Sequence, residues 1–186
     1  NGLIYAAATV LLQTVLGIGI AMLINRPFRG KNFVRAALLL PYVSSTVVNA
    51  LTWRWILNEN FGIINELFYK FGLPKVLWLS SINTAMLTVI GISVWVWTPF
   101  ITTTFLAGLE TIPRSLYDAA KIDGATSGQQ FIYVTLPYLK ELIGILVLLR
   151  SIWMFNKFDL IWLLTQGGPL NCTEHLPILS YIECTQ

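Results

Sequence analysis

Residues 115–137, SLYDAAKIDGATSGQQFIYVTLP, decide the fold because their first half is polar where the chain around it is apolar. Pro113, just upstream, ends a preceding helix because it has no N–H to donate. Ser115 then reads as an N-cap with Asp118 three residues on, the capping-box spacing. Asp118 also brings negative charge to a first turn, where the helix dipole favours it. Gly124 reads as a left-handed residue closing the helix. The pattern predicts a helix from Ser115 to Asp123, roughly two turns long and too short to stand alone in water. Packing must therefore hold it, and Ala119 and Ala120 leave a smooth surface that another protein can approach. A solvated loop is the plain alternative, and signals at both ends argue against it.

The surroundings belong to a membrane. Of 186 residues, 55% are hydrophobic and only 11% charged, against about 25% charged in a soluble domain. Mean hydropathy is +0.67. A net charge of +3 gives no support to a nucleic-acid partner. Cys172 and Cys184 form no metal pattern and suggest one disulfide at most.

Leu3 to Ile24 carries no charge and has the length of a bilayer span. The loop after it holds Arg26, Arg29, Lys31 and Arg35 and no acid, which places it in the cytoplasm. Ala36 to Leu57 reads as a second span, kinked at Pro41, with Trp53 and Trp55 flanking Arg54 at the outer interface. In the next loop Glu59, Glu66, Lys70 and Lys75 cancel, while Phe61, Ile64, Phe68 and Phe71 recur at helical spacing until Gly72 and Pro74. That predicts a short outer-face helix, lying either on the bilayer surface or on the protein itself. Asn83 to Leu109, with Pro99 inside, reads as the third span. Gln129 to about Thr165, past Pro137, reads as the fourth, ended by "TQGGP" at 165–169. Leu176 to Ile182 opens a further helix.

The motif beginning at Asp118 resembles the loop signature of binding-protein-dependent ABC transporter permeases. That signature runs Glu-Ala-Ala, three residues, Gly, nine residues, Ile, one residue, Leu-Pro. Here Asp118 stands for Glu and Val134 for Ile; Ala119, Ala120, Gly124, Leu136 and Pro137 keep type and spacing. "NRPFRGKNFVRAALLLPYV", "LAGLETIPRSLYDAAKIDGAT" and "FDLIWLLTQGGP" extend the likeness over nearly the whole chain, toward the carbohydrate-importing branch. The resemblance implies an all-α integral membrane protein with the type I ABC importer permease core: about four complete transmembrane helices, a cytoplasmic coupling helix and a short outer-face helix. It implies a single permease domain over 1–186, a fragment lacking a helix at each end, with the coupling loop at 115–128. Asp118, Ala119, Ala120, Asp123, Gly124 and Ala125 are then expected to seat against a cytoplasmic ATPase dimer. The other implied partners are a second, related permease, an extracytoplasmic solute-binding protein and the bilayer of a bacterial inner membrane. No cofactor is expected on this chain. It has no Gly-x-x-x-x-Gly-Lys-Ser/Thr loop, so ATP and Mg²⁺ are expected on the partner.

Arg150 interrupts an apolar run, where insertion scales put the cost of a charge at about 2.5–3.5 kcal/mol. It is expected either to face a pathway or to pair with a carboxylate, from a partner permease or from Asp159 through local unwinding. The resemblance places Ser93, Val96, Trp97, Phe100, Arg150, Trp153 and Met154 at positions that contact sugar in the maltose system. There, small or amide residues stand where this chain has Trp97 and Met154. His175 is expected at the surface. No nucleophile–base pair or metal-ligand cluster appears, so the chain is not expected to be an enzyme. The main rival, a stand-alone secondary transporter or channel, calls for inverted repeats or intramembrane carboxylates, and neither is visible.

Overall fold

The computed structural model describes residues 1–185, and their regular structure is helical. Helix α1 spans Gly2–Asn25. Along it Tyr5, Thr9, Gln13, Gly17 and Ala21 are buried at a spacing of four, one stripe facing the protein while Leu3, Leu11 and Val15 face outward. The stripe packs on α5, Ile82–Thr111. Gly17 makes the close approach possible: a β-carbon there would lie 2.7 Å from Ile101 Cγ2. Helix α5 is continuous through Pro99. Its threonines return their hydroxyls to the carbonyl four residues back, as Thr98 does to Val94 at 2.6 Å and Thr102 to Thr98 at 3.1 Å. Polar side chains are thereby satisfied inside an apolar medium.

The second span is broken more sharply than Pro41 predicts, and elsewhere. Helices α2 (Lys31–Val43) and α3 (Thr46–Ile56) meet at 94° across Ser44 and Ser45. Pro41 sits inside α2. Buried Asn49 holds the corner, donating from Nδ2 to the Pro41 carbonyl at 2.8 Å, an acceptor orphaned when the helix turns away. Arg35, near the start of α2, pairs with Glu110 at the end of α5 at 3.3 Å.

The outer-face helix is α4, Ile63–Lys70, and it packs on the protein. Asn65, 1% exposed, pins it: its amide donates to the Val76 carbonyl at 3.0 Å, and its Oδ1 accepts from Val76 N and Trp78 Nε1, both at 3.1 Å. Ile64 and Phe68 turn inward, Phe68 meeting Trp78 edge-on, while Phe61 and Phe71 stay exposed.

The expected fourth span divides. Helix α6 (Arg114–Ile122) is followed by a short α7 (Ser127–Gln130), a π-helical segment at Phe131–Thr135, and α8 (Leu136–Phe155). Pro137, at the start of α8, has no N–H for the normal ladder, and the Leu136 N–H reaches back five residues to the Phe131 carbonyl. The chain unwinds after Phe155 and resumes as α9, Asp159–Thr165. Helix α10 spans Leu176–Thr185. Three stretches, in α1, α5 and 127–155, are long and apolar enough to cross a membrane, and the bent α2–α3 pair makes a fourth. His175 is buried, not superficial, and its Nε2 meets the Lys157 carbonyl. Cys172 and Cys184 are both free.

Candidate functional site

Two places gather the residues singled out by the sequence. The first is α6. Its start differs from expectation: Pro113 occupies the N-cap position, so Ser115 lies inside the first turn and makes no capping bond. Asp118 pairs with Lys121 at 3.3 Å, exposed to solvent, a contact that contributes little. The capping box belongs to the next helix, where the Thr126 hydroxyl accepts from Gln129 N and the Gln129 side chain accepts from Thr126 N at 2.8 Å. The end of α6 is as expected. Gly124 has φ +77; its N–H bonds the Lys121 carbonyl at 3.0 Å and the Ala125 N–H bonds the Ala120 carbonyl at 2.9 Å, the paired bonds of a Schellman motif.

No residue of α6 is buried. Leu116 is 41% exposed and Ile122 86% exposed, apolar points on a polar helix. One side chain ties it to the membrane part. The Tyr117 hydroxyl and Thr135 Oγ1 are 2.9 Å apart, which links α6 to the π-helical segment at the head of α8.

The second place surrounds Arg150, which is 1% exposed. Its Nε and Nη2 both donate to Gln13 Oε1, at 3.0 and 2.8 Å. Gln13 donates in turn to the Ser93 carbonyl at 3.3 Å, and Ser93 Oγ and the Tyr5 hydroxyl are hydrogen-bonded at 2.8 Å. Met154 Sδ lies 3.6 Å from Arg150 Nη2. Three aromatic faces complete the shell: Trp97, Phe100 and Trp153 have their ring centres 5.2, 5.9 and 5.7 Å from the guanidinium carbon. Six of the seven positions named from the sequence thus meet here; Val96 packs in the apolar core instead. Asp159 is no partner of Arg150, because it pairs with Lys157 at 3.6 Å. Lys157 lies over Trp97 at 4.6 Å. A cavity of about 360 Å³ opens beside the cluster, walled by Trp97, Arg150, Trp153, Lys157 and Asp159.

Gln13 and Tyr5 belong to the Arg150 cluster, and sequence reasoning missed them. Their signal was present: Tyr5, Thr9 and Gln13 put three polar groups on one face of an otherwise apolar span. Among the described residues no group of His, Cys, Asp and Glu could hold a metal.

The family described as binding-protein-dependent transport system inner membrane component matches residues 13–182. The chain is 36% identical, over 95% of its length, to a trehalose/maltose transport system permease of Thermococcus litoralis, and covers 60% of that protein. It is 33% identical, over 95% of its length, to a sulfoquinovosyl glycerol transport system permease of Agrobacterium fabrum, covering 57% of it. A crystal structure of a bacterial ABC transporter involved in import of the acidic polysaccharide alginate superposes with a TM-score of 0.90 at 25% identity, over 97% of this chain and 64% of that one. The chain therefore spans about three-fifths of the length of these relatives.

Proposed function

The chain belongs to the binding-protein-dependent transport system inner membrane components, and from that premise we propose that it is the membrane-spanning part of an ATP-driven importer for a sugar or sugar derivative. The solute is handed over outside by a binding protein. A second, related permease completes the pathway, and a cytoplasmic ATPase dimer holds the ATP and Mg²⁺. This chain carries no cofactor and catalyses no reaction.

The observation that carries this reading is helix α6. A helix of nine residues that buries none of them has no reason to persist unless something covers it. Its exposed Leu116 and Ile122 offer the apolar contacts, and Ala119 and Ala120 let a partner come close. Asp118, Asp123, Gly124 and Ala125 fix its ends and surface chemistry. The Tyr117–Thr135 bond gives a route by which movement of α6 reaches α8, and α8 carries Arg150, Trp153 and Met154. Saccharide transport in the relatives, trehalose or maltose and sulfoquinovosyl glycerol, supports the substrate class. The aromatic faces around Arg150 suit the apolar faces of a sugar ring, and we assign the pathway to Ser93, Trp97, Phe100, Arg150, Trp153 and Met154, with Val96 behind them in the core.

Purification of the full-length protein from its native membrane tests this directly. An ATPase and a second permease should come with it, and loaded binding protein should stimulate ATP hydrolysis. Transport by the protein alone in vesicles without ATP would establish the secondary-transporter alternative instead.

A further inference from the structure

We propose that the cavity beside Arg150 takes a sugar bearing a carboxylate or comparable acidic group in preference to a neutral one. The inference rests on the importer reading and concerns which class of sugar is carried. Its basis is a buried guanidinium in the cavity wall whose partners among the described residues are all uncharged. Arg150 and Lys157 only donate. Trp97 also only donates, and its indole Nε1 is buried without an acceptor. Among the described residues, no hydrogen bond engages Arg150 Nη1; Gln13 and Met154 take only Nε and Nη2. The one carboxylate in the wall, Asp159, is already engaged by Lys157 at 3.6 Å.

A neutral sugar presents hydroxyls that donate as well as accept, and it brings no counter-charge to the guanidinium. An anionic group only accepts, and Arg150 Nη1 together with the Lys157 ammonium in the same wall are charged donors for it. The charges argue the same way. Arg150 is surrounded by a neutral amide, a thioether and aromatic rings, with no carboxylate of its own. A buried charge left without a counter-charge is costly, and an anionic ligand supplies one. Folding has already stripped Arg150 of water, at 1% exposure, so binding does not incur that desolvation again.

The test uses the full-length protein assembled with its ATPase and second permease, without binding protein, and two probes, D-glucuronate and D-glucose. Saturation-transfer NMR titrations should give glucuronate at least about a tenfold lower Kd, a preference that shrinks as salt rises from about 0.1 M to about 1 M. Arg150→Gln should abolish the preference and Arg150→Lys should keep part of it. Equal binding of the two sugars, binding of neither, or a preference that survives Arg150→Gln would overturn the inference. So would a complex that dissociates with Arg150→Gln yet holds with Arg150→Lys, because the charge would then serve a contact between subunits. Lys157→Gln, on the cavity rim, gives an independent reading: the preference drops several-fold if the inference holds and is unchanged if it fails. Absence of a co-purified ATPase and second permease, observed before any sugar is added, sinks the importer reading; a normally assembled complex indifferent to sugar charge sinks only this one.

Discussion

Helix α6 buries none of its residues, while Arg150, Gln13 and Ser93 bury nearly all of theirs. Both regions are polar in an apolar chain, and they solve the problem of polarity differently. Helix α6 is exposed throughout and takes its boundaries from its own sequence, Pro113 at the start, without a side-chain cap, and Gly124 at the end. The Arg150 cluster stays inside and draws its partners from three helices: Gln13 on α1, Ser93 and Trp97 on α5, Met154 on α8. A local solution makes a part that can move against a partner. A distributed one makes a fixed point, because moving any helix breaks hydrogen bonds that water cannot replace.

The contrast predicts that removing one acceptor from the cluster does far more damage to the fold than any exposed change in α6. Gln13→Leu keeps the volume and deletes the oxygen that accepts from both Arg150 Nε and Nη2. Hydrogen bonds to charged groups contribute about 1.5–3 kcal/mol each, and leaving such a donor buried and unpaired costs more. The expected result is a large fall in the thermal midpoint of the assembled protein, read by dye-free scanning fluorimetry. An unchanged midpoint would mean that Gln13 is incidental to Arg150 and that the cluster is not the fixed point described here.

The same contrast governs what was legible in the sequence. The ends of the first and third spans came out within about two residues, because a run of apolar side chains is a local signal with one physical cause; the fourth ends at Phe155, ten residues before the expected Thr165, where the chain unwinds. The Gly124 turn was equally readable, since a left-handed residue after a short helix calls for glycine. The start of α6 was not. Ser115-x-x-Asp118 and Thr126-x-x-Gln129 both have capping-box spacing, and the pattern alone does not say which is used. The extended backbone at Pro113, ψ 132, starts the helix at Arg114 and moves Ser115 out of the capping place. The 94° corner was displaced for a related reason. Pro41 lowers the cost of breaking α2, yet the corner lies where Asn49, eight residues later, can cap the Pro41 carbonyl. At Arg150 the buried charge was readable, and two choices of carboxylate partner stood open. The partner in the fold is Gln13, 137 residues away, and no periodicity within α8 points to it.

A second substitution turns the comparison around, leaving the fold nearly intact while stopping function. Gly124 has φ +77, and a β-carbon there meets nothing within 4 Å. Gly124→Val therefore introduces no clash, only the strain of a β-branched residue in the left-handed region, on the order of 1–2 kcal/mol. Relief of that strain unwinds the last turn of α6, where the Ala125–Ala120 bond closes the helix. Binding-protein-stimulated ATP hydrolysis and sugar uptake should become uncoupled, with uptake falling at least about tenfold and the thermal midpoint moving little. Gly124→Asn, which tolerates positive φ, should retain much of the uptake. Equal uptake by all three proteins would show that the geometry of this turn is irrelevant to transport.

The smallest effect is expected outside both regions, at His175, where a local contact is buried and so stands between the two plans. Its Nε2–H meets the Lys157 carbonyl in the unwound stretch between α8 and α9, and its Nδ1 is buried without a partner. Burial holds the imidazolium pKa below the ordinary value of 6.5, against the opposing pull of the Lys157 carbonyl. The sign follows from linkage. A chain unfolded here takes up a proton as pH falls through the ordinary value, and the folded chain does so only at the lower one. The stabilisation is thus fully present above about pH 6.5 and is lost progressively as pH falls toward the depressed folded value. Hydrogen exchange of the Gly167–Glu174 amides, followed from about pH 7.5 to about pH 5 and corrected for intrinsic rates, should show protection declining. In His175→Gln, which keeps a donor for the Lys157 carbonyl and cannot ionise, the corrected protection should stay flat. A decline of the same size in His175→Gln would assign the pH dependence to another group and leave His175 a neutral packing residue.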